Sequence, residues 1–531
     1  MIKSTALKGT TALRALAITG ALLAPTFAFA EDVTLKSADG TVNIVGEFMG
    51  FEENAYLIKT GLGDLRISAE RVRCEGEACP VFETATADVV IAGSETIGLG
   101  MMPLLLEGYA AFNDADSTVT STVNVGEIIA EMIGDQGFGD PMGSFLVSST
   151  NSNDAFQALM KKESEIGMAS RRITPDEARA LKKDGAGNMI SPSQEHIVAV
   201  DSLVVIVNPE NSVQELTTQQ VADIFAGKIT NWKDLGGTDA EIKLYDREEG
   251  SDTRSVFQKA VNRGEEAPVA ASATVITDST EMAIAVNADP HAIGYVSYAF
   301  QRGAKALPLV NECGITMTPD AFSARTEEYA LQRRLYLYNR DDAISDTSKA
   351  LLDFAKSTDA DDVIQKAGFI SLGIDQVEQT ADSNRARTLL AGDYDAYEGS
   401  LVQDMLGMMS DYDRLSSTFR FRSGSSRLDE RARLDMARLA DFLEQSPKGT
   451  EVLFVGFTDD VGAFDSNRDL SKRRANSVMQ QMVDAAGTRL EGIKLASAGY
   501  GEIAPSACNS SENGRGINRR VEVWISVPTN S

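Results

Sequence analysis

The chain has 531 residues, 43% of them hydrophobic, and a formal charge of −28 at pH 7. Single cores rarely exceed about 250–300 residues, so this length implies several domains. The acidic balance excludes nucleic acid and anionic lipid surfaces as partners, and an anionic ligand would need short-range donors rather than long-range steering.

Lys3, Lys8 and Arg14 precede an apolar run from Ala15 to Leu23, and Ala28-Phe29-Ala30 closes it with small residues. This predicts a secretory signal peptide over 1–30. No Cys follows the run, and no later stretch reaches the ~18–20 apolar residues of a membrane helix. The mature chain is therefore expected to be exported, with no membrane span. Residues 31–87 predict a small β module, most like a tiny barrel, from short strand-like runs at 33–36, 42–47 and 55–58 broken by Gly and Asn. Cys74 and Cys79 within it predict a small disulfide loop in an oxidising compartment. Cys313 and Cys508 either pair with each other or stay free.

From 88 to 373 the chain alternates strand-like and helix-like segments, the rhythm of an α/β domain. Ile197 to Val207 is apolar enough for a buried strand crossing between lobes. Residues 374–414 are polar and helix-compatible, with Leu401, Met405 and Met408 on one face; they predict a helical linker, or equally a segment packed on a neighbouring domain. Residues 415–531 read as a βαβαββ domain, with an amphipathic helix whose apolar face carries Ala432, Met436, Leu439 and Leu443. The fold class is thus multidomain α/β and α+β.

Three turns in the middle domain precede helix-like runs: Gly93-Ser94-Glu95-Thr96, Ser152-Asn153-Asp154 and Arg247 to Arg254. Helix N-termini carry unpaired N–H groups and partial positive charge, and Ser or Thr hydroxyls there either cap the helix or donate to an anion. One such turn is ordinarily only a cap; three in one α/β domain, one opening on Arg, point to an anion site. Two His (His196 and His291) and no metal-ligand spacing give no Ser-His-Asp set, no cofactor and no metal site, so the chain reads as a binding protein and not an enzyme. Trp232, Phe225, Tyr336 and Tyr338 are expected to pack rather than touch ligand.

Ile166 to Arg171, Ala199-Val200-Asp201, Ile224 to Trp232, Arg247 to Thr253 and Ile293-Gly294-Tyr295 together resemble the periplasmic phosphate-binding, substrate-binding proteins of ABC transporters, over roughly 280 residues in order. The resemblance implies two α/β lobes closing on ligand, placed here at 88–205 plus 300–373 and at 206–299. It implies phosphate donors at Thr96, Ser152, Arg247, Gly250, Ser251 and Thr253, with Asp201 accepting from protonated phosphate and so excluding sulfate. It also makes a transporter permease a candidate partner. The chain departs from the family's pattern at Asp252 and Ser202, where glycines are usual.

Val455 to Asp459, Asn467 to Ala475 and Asn518 to Val523 resemble the OmpA C-terminal family, whose members bind peptidoglycan. The resemblance implies that Asp459 and Arg474 grip the ammonium and carboxylate of diaminopimelate in the wall stem peptide. Phe457 stands where the family usually has His. The combined expectation is a periplasmic phosphate-capturing domain held noncovalently on the wall. The alternative is a structural envelope linker whose binding-protein domain has lost its ligand and mediates protein contacts, which Asp252 favours.

Overall fold

The computed structural model describes residues 32–37, 43–52, 55–61, 63–69, 72–76, 78–80, 86–261, 268–421 and 431–528. The expected signal peptide lies outside these residues. No helix among them is long and apolar enough to cross a membrane.

The N-terminal unit is an antiparallel five-stranded sheet in the order Gly63–Ser68, Ala55–Thr60, Asn43–Glu52, Asp32–Ser37, Val72–Glu75. It is an open sheet rather than the barrel expected from the strand spacing. Gly63–Ser68 is an edge strand with four consecutive exposed residues, so nothing draws it round to the far edge. Val33, Leu35, Tyr56 and Ile58 form its small core, and Cys74 pairs with Cys79.

The middle domain is built on one mixed sheet of eleven strands. Its spine is the pair Glu195–Val207 and Gln332–Asn339, which run antiparallel from one lobe into the other. The first of these is thirteen residues long and buried over nearly its whole length, as its largely apolar sequence, broken by Asp201 and Ser202, requires. On one side, Ile91, Leu105, Phe145, Met168, Leu337, Leu351 and Phe354 share a core. On the other, Leu203, Val205, Trp232, Phe257 and Tyr295 pack together with Leu307, Leu309, Met317, Tyr329 and Leu331. Residues 307–331 therefore belong to the second lobe, not the first as expected; their short strands Leu309–Val310 and Thr316–Met317 pair beside Leu216–Thr217 of that lobe. Trp232, Phe225, Tyr336 and Tyr338 are all buried packing residues.

The C-terminal sheet has the order Gln376–Val377, Asp413–Arg420, Arg520–Ser526, Glu451–Gly456, Lys494–Gly499. Helices Arg431–Glu444 and Phe464–Ala486 cover one face through Met436, Leu439, Val478 and Met482. The other face is covered by the segment that the linker reading left between domains. Helices Asn384–Ala391 and Ala396–Asp411 bury Leu389, Leu401, Val402 and Met405 against Val455, Phe457 and Trp524. The apolar stripe needs a partner, and the exposed sheet face supplies it.

The C-terminal domain touches both lobes. Cys313 of the second lobe is disulfide-bonded to Cys508, settling the choice left open by sequence. Arg438 reaches Asp361 of the first lobe at 2.6 Å. Between them, Glu327 takes Arg420 at 2.7 Å and also Arg431 and Arg334, while Glu328 takes Arg414 at 2.7 Å and the Ser506 hydroxyl at 2.8 Å. Burial raises both carboxyl pKa values, but the surrounding arginines overcome it and leave both well below the usual carboxylate range.

Candidate functional site

A cleft of about 270 Å³ opens where the two lobes meet. The first lobe contributes Ser94-Glu95-Thr96 and Thr150-Asn151; the second contributes the turn from Glu248 to Thr253. Each group sits at a strand end or helix start. Glu95 and Thr96 open the short helix after strand Val89–Ser94, and Asn151 caps helix Ser152–Lys161 by accepting from the Asn153 and Asp154 N–H groups. Gly250 has φ of +91°, a left-handed conformation that suits glycine and turns the chain into helix Asp252–Val261.

The sequence-assigned phosphate ligands divide. Thr96, Gly250, Ser251 and Thr253 line the cleft from opposite lobes. Ser152 is fully buried beside it and reaches it through Asp252: the Ser152 N–H and hydroxyl both donate to Asp252 Oδ2, at 2.9 and 2.7 Å. Asp201 and Arg247 lie behind the wall. Asp201 is 1% exposed; it accepts from the Ser297 hydroxyl at 2.6 Å and from Arg333 at 2.9 Å. It is thus the counter-ion of a buried arginine, which corrects its expected role as acceptor for the ligand's proton. Arg247 is also 1% exposed. Its guanidinium donates to the Ser279 hydroxyl (2.8 Å), the Thr277 carbonyl (2.6 Å), Glu95 (3.1 Å) and Glu248 (3.1 Å), so its donors already have protein acceptors.

Carboxylates outnumber the cation within this wall: Arg247 faces both Glu95 and Glu248. Burial raises the Glu95 pKa, Arg247 opposes the rise, and Asp278 and Glu248 add to it; the net direction is upward. Burial works against the Arg247 charge, while Glu95 and Glu248 more than restore it. The Ser94 hydroxyl lines the cleft, is fully buried and has no hydrogen-bond partner among the described residues.

Arg333 is the residue that sequence reasoning missed. It donates to Asp201, to the Thr96 hydroxyl at 3.0 Å and to the Thr253 hydroxyl at 3.3 Å, so one guanidinium joins a threonine from each lobe. The available signal was an arginine at an inward position of the strand Gln332–Asn339, otherwise rich in Leu and Tyr. Such a residue must find a buried partner.

In the C-terminal domain, Asp459 follows strand Glu451–Gly456 and Arg474 lies on helix Phe464–Ala486. Asp459 pairs with Arg519 at 2.7 Å, and Arg519 also holds Glu512 at 2.7 Å. Arg474 is buried, with its guanidinium 5.1 Å from the centre of the Phe421 ring. Burial lowers its pKa, Asp459 opposes this, and Arg519 and Arg473 add to the lowering. Asp459, Arg474 and Arg519 thus form one electrostatic cluster, and Arg519 is the member the expected pair lacked.

Residues 80–358 match the model of the PBP superfamily domain, and residues 420–519 match that of the OmpA family. The phosphate-binding protein PstS of Bacillus subtilis is 31% identical over 192 residues, 36% of this chain and 61% of that protein. The outer membrane porin F of Pseudomonas aeruginosa is 40% identical over 112 residues, 21% of this chain and 31% of that one. This chain therefore spans about three fifths of the first relative and under a third of the second. A crystal structure of a putative phosphate ABC transporter substrate-binding protein from Clostridium perfringens, with bound phosphate, aligns at 25% identity and a TM-score of 0.41, covering 53% of this chain and 98% of that one.

Proposed function

The chain belongs to the PBP superfamily, and from that premise we propose that its two-lobed domain binds phosphate, or a similar oxyanion, in the envelope, while its OmpA-family domain holds peptidoglycan. The observation that carries this reading is the convergence of hydroxyls from both lobes, Thr96 from one and Ser251 and Thr253 from the other, on a single cleft. Hydroxyls and helix-start N–H groups suit an oxyanion better than a long-range field would in so acidic a chain. Glu95, on the cleft wall, is the acceptor available for the O–H of HPO₄²⁻. Sulfate brings no such hydrogen, and a site built on a specific hydrogen bond rejects the analogue lacking it.

The role is capture rather than catalysis, in the periplasm, with Asp459 and Arg474 gripping the zwitterionic end of a stem peptide and Arg519 completing the set. A transporter permease fits as the recipient of captured ligand.

Titration calorimetry of the exported chain with phosphate and sulfate tests the first half. Micromolar or tighter binding of phosphate alone is the expected result; silence for both ions overturns it. Pull-down on purified peptidoglycan tests the second half. Binding should be lost in Asp459→Ala, and full retention by that variant would remove the assigned grip.

A further inference from the structure

Helix Ser152–Lys161 presents a complete anion-binding end. Asn151 takes the Asn153 and Asp154 N–H groups as its cap, which leaves the Ser152 N–H directed outward. The Ser170 N–H donates to Ser152 Oγ at 3.0 Å, so that hydroxyl is fixed with its own hydrogen free to donate onward. Both outward donors converge on one oxygen, Oδ2 of Asp252, which comes from the opposite lobe one hundred residues later in sequence. A carboxylate here takes charge-assisted bonds and faces the positive end of the helix. A second contact spans the same cleft, the ion pair of Arg247 and Glu95.

We propose that Asp252 is a tethered carboxylate that occupies the anion-binding end of helix Ser152–Lys161 and latches the ligand-free lobes together, so that an incoming oxyanion binds by displacing it. The latch itself rests on geometry alone; its displacement by phosphate rests on the function proposed above. In a binding domain whose ligand supplies the only bridge between lobes, the empty state is open. Here the protein carries its own bridge, and being covalently attached, it competes at high effective concentration. The oxyanion then has to exceed the carboxylate in charge and donor contacts, which sets a threshold concentration for capture. The buried Ser94 hydroxyl on the same wall, without a partner among the described residues, is a donor that Asp252 leaves unused.

The test compares the exported wild-type chain with Asp252→Ala and Ser152→Ala. Spin labels on the two lobes report their separation in phosphate-free buffer, and calorimetry reports the affinity for inorganic phosphate. The wild type should be closed without ligand and both variants open. Asp252→Ala should bind phosphate at least about tenfold more tightly than wild type; Ser152→Ala, which loses a phosphate donor along with one of the latch's two bonds, should not. A lobe separation unchanged in Asp252→Ala overturns the latch. An open Asp252→Ala that binds phosphate no tighter than a binding-competent wild type overturns the displacement. Opening in both variants with no phosphate bound by any of the three proteins supports the latch and sinks the phosphate reading instead.

Discussion

Replacing Arg333 by Met is the most direct challenge to the account of the cleft wall. The side chains of Arg333 and Asp201 are 4% and 1% exposed, and the guanidinium also holds the hydroxyls of Thr96 and Thr253. Met fills much of the same volume but leaves the Asp201 carboxylate buried with only the Ser297 hydroxyl, among the described side chains, donating to it. Stranding one member of a buried ion pair costs about 3–5 kcal/mol, whereas removing both members together is often nearly neutral. Arg333→Met should therefore lower the melting temperature of the two-lobed domain by about 6–20 °C, taking about 2–4 °C per kcal/mol for a domain of this size. Adding Asp201→Asn should recover at least half of that fall. Differential scanning calorimetry of the two single variants and the double variant supplies the full cycle. A fall of under about 2 °C in Arg333→Met, or a double variant no more stable than that single one, would refute the pairing as the reason Asp201 is buried.

Two further predictions concern how the C-terminal domain is attached. Cys313 and Cys508 are 195 residues apart, and closing a loop of that length removes about 5 kcal/mol of unfolded-state entropy; Cys313→Ala with Cys508→Ala should merge less cooperatively in calorimetry, with the two-lobed and C-terminal transitions separating, and one unsplit transition would contradict this. Because Glu327 and Glu328 titrate below their unfolded values, the stabilisation they give is fully present above about pH 4.5 and is lost as pH falls further toward their folded values. Small-angle scattering of the disulfide-free variant should then show the C-terminal domain leaving the lobes between about pH 4.5 and pH 2, and a profile unchanged over that window would mean these carboxylates do not hold the contact.

The periodicities that make elements were readable from the chain. The apolar run Ile197 to Val207 became the buried strand between lobes, and the turns at Thr96 and Gly250 to Thr253 did reach one cleft. What failed was the assignment of partners across distance. Asp201 meets Arg333 132 residues away, Ser152 meets Asp252 100 away, and Arg247 meets Glu95 152 away. No local spacing encodes such meetings, because the sheet brings together strands from the whole domain. Family pattern placed Arg247 and Asp201 in the ligand's path; in the structure Arg247 pairs with Glu95 and Glu248, and Asp201 with Arg333. Of the two readings of 374–414, packing on a neighbouring domain is the one the structure shows, and its surface was not legible for a related reason. Leu401, Met405 and Val402 form an apolar stripe whose destination, the face bearing Trp524, is defined only by strands more than forty residues further along.

The bond between Cys313 and Cys508 decides where a mechanical load travels. A pull on the C-terminal domain does not have to pass through the packed helices at 384–411 or peel apart arginine–glutamate contacts. It runs through sulfur directly into one jaw, while the opposite jaw is joined by the backbone that leads from Ile370 to strand Gln376–Val377 and by the pair of Arg438 and Asp361. A load on that domain thus enters the two jaws by different routes, one through sulfur and one through backbone.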